Sequence, residues 1–155
     1  MRKLILAGAV ASMLVVVPSA SASIVINQSI AGVAIGMTQA QVVATLGPAK
    51  ATTTSTDKTT GQPVISLEYN TAIVDLMADK VVFVTTVSRS EKTANGVGVG
   101  VKEKTLRKKV KGLKCAGKKR RLCVKGSGKP GTTGTIFTIS KSKKVTSVSV
   151  AVVLD

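Results

Sequence analysis

The chain has 155 residues, with 23 Lys and Arg against seven Asp and Glu, no histidine, no tryptophan and two cysteines. A formal charge of +16 directs attention to anionic partners or surfaces, while the lack of histidine excludes Ser-His and Cys-His catalytic pairs and leaves two cysteines unable to complete a four-ligand zinc shell. With aromatic residues at 2% there is no stacking platform for bases, which argues against sequence-specific nucleic-acid reading.

Met1-Arg2-Lys3 precedes an apolar run from Leu4 to Val17, followed by small residues at Ala20 and Ala22. A basic start, an apolar stretch and a small-residue end predict a secretory signal peptide over residues 1–22, cleaved near Ala22. The run is shorter than the ~20 residues a membrane span needs, so no transmembrane segment is expected in the mature chain. The expected location is extracellular or associated with the cell wall.

Residues 23–90 carry four charges of each sign. "GVAIGMTQAQVVATLG", residues 32–47, predicts a short helix with both ends marked. Thr38 stands as N-cap, Gln41 completes a capping-box spacing, and Gly47-Pro48 is a stop. Val42 and Leu46 share one face, and a helix this short needs a surface to lie on. Strands are predicted at Lys50 to Thr56, Val64 to Tyr69, Thr71 to Ala78 and Val81 to Ser88, from alternation and β-branched content, with a turn at Asp57 to Gly61.

Residues 91–155 hold 17 basic side chains and three acidic ones. "GVGVGVKEKTLRKKVK", residues 96–111, aligns Gly96 with Gly32 and Gly100 with Gly36, and Leu106 with Val42. A second short helix is expected there without a side-chain cap, Glu103 favouring the positive pole of its dipole. A hairpin with Cys115 and Cys123 on its arms follows, then strands at Gly134 to Ser140 and Lys144 to Val153. In an exported chain this cysteine pair reads as a disulfide closing the hairpin. Together the signals predict an α+β fold of two tandem modules, each a short helix packed on a small antiparallel sheet of three to four strands. The first module spans 23–90 and is near neutral; the second spans 91–155 and is strongly basic.

The words "GMTQAQVVATLG", Gly36 to Gly47, resemble the helix motif shared by secreted β-lactamase-inhibitor-like proteins and the small lipoprotein of the outer-membrane β-barrel assembly machinery. The resemblance implies a helix opening on a Gly-Met-Thr turn and packing on a small sheet, in two copies for the inhibitors. It also implies, as an alternative function, a protein–protein interaction module using the sheet face.

No motif marks a catalytic residue, and none marks a cofactor or metal site. The seven carboxylates are scattered, and Gly126, Gly128 and Gly131 lack the spacing of a phosphate-binding loop. The chain is therefore expected to be a non-enzyme, an extracellular hydrolase being the remote alternative. Lys104, Arg107, Lys108 and Lys111 fall at helical spacing, and Lys118, Lys119, Arg120 and Arg121 lie between the cysteines. These eight form the expected contact for a polyanion, whether an anionic cell-wall polymer, a membrane surface or an acidic protein.

Overall fold

The computed structural model describes residues 23–118 and 121–154, so the expected signal peptide lies outside the described residues. The described chain begins with three two-residue strands, β1 (Ile24–Val25), β2 (Ser29–Ile30) and β3 (Val33–Ala34), which pair antiparallel as a small sheet. Two residues are too few to display a period of two, so alternation in the sequence does not mark them. Their contribution is to the core: Ile24, Ile30 and Val33 are at most 1% exposed.

Helix α1 (Gln39–Leu46) begins where the local chemistry predicts. The Gln41 amide donates to Thr38 Oγ1 at 3.3 Å and the Thr38 amide donates to Gln41 Oε1 at 2.8 Å, a reciprocal capping box. Gly47 ends the helix at a positive φ. Val42 is the side chain it buries completely.

Four strands follow as a meander: β4 (Ala51–Thr56), β5 (Pro63–Glu68), β6 (Ile73–Met77) and β7 (Lys80–Thr86), each antiparallel to the next. Asp57 opens the β4–β5 turn by accepting from the amides of Thr59 and Thr60. A long connection over residues 87–102 leads to α2 (Glu103–Lys109), whose N-cap residue Lys102 makes no side-chain cap. Then come β8 (Lys114–Ala116), β9 (Arg121–Lys125), β10 (Thr133–Ile139) and β11 (Val145–Val152).

These eight strands form one sheet in the order β4-β5-β6-β7-β11-β10-β9-β8. The expectation of two tandem helix-on-sheet modules is thereby corrected: the protein is mostly β, about 44% strand and 12% helix, on one continuous sheet. The seam is β7 against β11, with Val148 opposite Thr86 and Val150 opposite Val84. Either strand left as an edge would present a row of unpaired amides and carbonyls, and pairing them removes both edges at once. The N-terminal segment bridges the halves as well. The Ile24 amide donates to the Lys92 carbonyl at 3.0 Å, and the Asn27 amide donates to Thr135 Oγ1 at 2.6 Å.

One face of the sheet carries the core. Leu67, Val74, Val84, Val148, Val150 and Phe137 join Val42 of α1, Leu106 of α2 and the small N-terminal sheet in a single apolar cluster. Each such side chain contributes about 1.5–3 kcal/mol by leaving water. The opposite face is polar and apolar by turns, with Ile73 and Leu122 exposed and the Thr85 and Ser149 hydroxyls 2.8 Å apart. Of the three aromatics, Tyr69 and Phe137 are buried; Phe83 is half-buried on the outer face, opposite Asp75 and Ala151.

Candidate functional site

Three segments distant in sequence meet where α2 begins. The Glu103 amide donates to the Lys143 carbonyl at 2.8 Å, so the β10–β11 turn takes up a free amide that no side chain caps. Lys102 and Lys144 lie opposite each other in an isolated bridge. Arg121 opens β9 opposite Ile139, the last residue of β10 before that same turn. The topology thus brings the start of α2, the start of β9 and the β10–β11 turn to one end of the sheet.

At the centre of that end stands Glu103, its side chain only 11% exposed. Arg121 Nε donates to Glu103 Oε1 at 2.8 Å, Arg107 Nε donates to the same oxygen at 3.2 Å, and Lys143 Nζ lies 4.0 Å from Oε2. Burial works to raise the pKa of this carboxyl, but the hydrogen bonds from Arg121 and Arg107 and the charge of Lys143 outweigh it, holding the group below the ordinary glutamate value. Removing the carboxylate would leave cations crowded without a counter-charge, the costlier way to break a half-buried ion cluster.

The disulfide between Cys115 and Cys123 joins opposed residues of β8 and β9, and Cys123 is fully buried. It closes the hairpin as its spacing predicts. Both sulfur atoms lie within 4.8 Å of a Glu103 carboxylate oxygen. Bonded to each other, they offer no thiolate, and the described residues include no free cysteine.

Of the eight cations singled out from sequence, the six among the described residues fall in different settings. Lys104 and Lys108 are exposed on α2, and Lys118 is exposed near the hairpin tip. Lys119 and Arg120 lie outside the described residues. Arg107 and Arg121 are occupied by Glu103, with Arg121 only 28% exposed. Lys111 lies past the end of the helix, whose C-cap is Val110. Its neighbour Gly112 lies beside Lys125, at the opposite end of β9 from Arg121, so the helical stripe of four is broken there. Spacing reasoning overlooked the grouping of Lys102, Lys143 and Lys144 with α2. The available signal was Glu103 itself, an acid among cations at the start of an uncapped helix.

No protein-family model and no curated relative matches the sequence. Among solved structures, the chain is similar to an extracellular protein containing a SCP domain from Bacillus anthracis str. Ames, at 10% identity and a TM-score of 0.51 over 76% of this chain and 43% of that one. A cysteine-rich secretory protein from Staphylococcus aureus subsp. aureus Mu50 gives 13% identity and a TM-score of 0.48 over the same shares. The chain spans less than half the length of either protein, and the likeness bears on the course of the backbone alone. The resemblance to β-lactamase-inhibitor-like proteins and the assembly lipoprotein is thereby corrected: the backbone is similar to that of the SCP-domain protein, and the tandem-repeat architecture is replaced by one sheet. Gly36 to Gly47 is a capped turn-into-helix, a local solution to the free amides of a helix start that carries no fold with it.

Proposed function

We propose that the protein is a secreted, non-catalytic binding module that holds an anionic polymer or surface against the cationic end of its sheet. The observation that carries this reading is the exposure of Lys102, Lys104 and Lys144 at or beside the start of α2, with Lys118 exposed shortly before Arg121, while the acid there, Glu103, is already engaged by Arg121, Arg107 and Lys143. Glu103 satisfies the inner cations and leaves the outer ones uncompensated, which concentrates positive potential at one place. The uneven charge of the halves and the basic, apolar leader in the sequence support the same reading. The similar fold of an extracellular SCP-domain protein is compatible with it. No described helix is long and apolar enough to cross a membrane.

The test is binding of the exported, oxidised chain to anionic polymers and to anionic vesicles across a salt series. Affinity should fall log-linearly with salt, and the combined variant Lys102→Gln, Lys104→Gln, Lys118→Gln should show a shallower slope. Binding that ignores both salt and these substitutions would defeat the reading. It would favour a protein partner on the outer sheet face around Phe83.

A further inference from the structure

Beside the cationic end lies an open depression of about 380 Å³, lined among others by Arg89, Lys144, Ser140, Ser142, Val87 and Val99. Arg89 belongs to the stretch between β7 and α2, outside every cationic cluster the sequence displays. Its Nε lies 3.8 Å from where a side chain on Gly100 would begin, and Gly100 holds φ +88°, so the turn stays bare and the guanidinium rests over it. Lys144 reaches the same depression from the start of β11.

The polar lining consists of cations and hydroxyls, all able to donate. Ser140 Oγ and Ser142 Oγ are 2.8 Å apart and share one hydrogen between them, and Ser140 Oγ also accepts the Lys144 amide at 3.2 Å. One serine O–H is left to donate outward, beside a guanidinium and an ammonium, with no carboxylate among the lining residues. Three separately directed donors match a tetrahedral group with several acceptor oxygens better than a planar carboxylate. The walls are partly aliphatic, with Val87 70% exposed, so the carbon atoms of a ligand have apolar surface to lie against. The volume exceeds what one phosphate fills, which leaves room for an adjoining polyol unit. Lys102, paired through the backbone with Lys144, stands ready for a flanking charge.

We infer that this depression seats one phosphate and its adjoining carbons within a linear polyol-phosphate polymer. The inference rests on the anionic-polymer reading and deepens it by naming the repeating chemistry.

The experiment compares a synthetic glycerol phosphate oligomer with polyglutamate of matched charge, at one physiological salt concentration, on the exported, oxidised chain. The wild type should bind the oligomer about tenfold more tightly. The double variant Arg89→Gln, Lys144→Gln should erase that preference, whereas Lys104→Gln, Lys108→Gln should weaken both polymers alike and leave their ratio unchanged. Equal affinity of the wild type for the two polymers, or a preference that survives the Arg89 and Lys144 substitutions, overturns the pocket while leaving the anionic-polymer reading in place. Binding to neither polymer overturns both.

Discussion

The two corners where helices enter the sheet share a backbone and differ in chemistry. Gly36 and Gly100 hold φ of 87° and 88°, and each donates its amide at 2.8 Å to the β-strand beside it, to Val81 and Val145 respectively. Val81 and Val145 return the bond to Met37 and Val101, and Val42 and Leu106 bury the same helical face completely. The helix starts then diverge. α1 is closed locally by Thr38 and Gln41, with Asp79 Oδ1 accepting the Gln39 amide at 3.2 Å. At α2 the Lys143 carbonyl takes the corresponding amide, and the Glu103 side chain turns to Arg107, Arg121 and Lys143. The α1 corner is closed by its own capping box with one acceptor borrowed from the β6–β7 turn, and it gathers no cations. The α2 corner has no capping box, and the residues it draws in from β9 and the β10–β11 turn are Arg121 and Lys143, so the cationic end follows from that.

The comparison is broken most forcefully at the shared apolar anchor. Leu106→Ala should cost about 2–5 kcal/mol in chemical denaturation and lower the stability of the whole sheet, because the core is continuous. A two-step unfolding curve in the variant, with one half melting first, would show the corners to be independent. The next largest effect is expected at Glu103. Glu103→Gln should destabilise by about 1–2 kcal/mol, since it weakens charge-assisted hydrogen bonds whose arginine partners remain partly solvated. The pH profile carries the sign. A carboxyl whose folded pKa is depressed contributes fully above the ordinary glutamate value and loses that contribution as pH falls through the folded value. The Gln variant should therefore match the wild type more closely at acid pH than at neutral pH, and a constant difference across the range would refute the ion cluster. The smallest effect concerns the caps. Thr38→Ala should cost about 1 kcal/mol, whereas Lys102→Ala, at the equivalent place in α2, should change stability by less than about 0.5 kcal/mol. Equal losses would erase the difference between the corners.

What could be read from the residues follows the range of the interactions involved. The capping box, the Gly47 stop, the β4–β5 turn at Asp57 and the alternation of β5 are set by neighbours within a few positions, and each lies within two residues of its expected place. The disulfide joins positions eight apart and was equally visible. The β7–β11 seam joins residues more than 60 positions apart, and alternation says which faces are apolar without saying which edges meet. The same holds for the site: helical spacing gathers Lys104 and Lys108, but nothing local places Arg121 or Lys143 against Glu103. β1 to β3 escaped notice for the opposite reason, being too short to carry a period at all.

The order of strands has a consequence for assembly. Along the chain, pairing runs inward from one edge, β4 to β7, then restarts at the far edge and runs inward again from β8 to β10. β11, the last strand to become available, is the one that fits between the two partial sheets. Until it inserts, each partial sheet keeps an open inner edge and much of its apolar face in water. Folding therefore depends on contacts of high sequence separation, which slow it. A chain built this way stays loosely organised until β11 takes its place, as an arch does until its keystone is set.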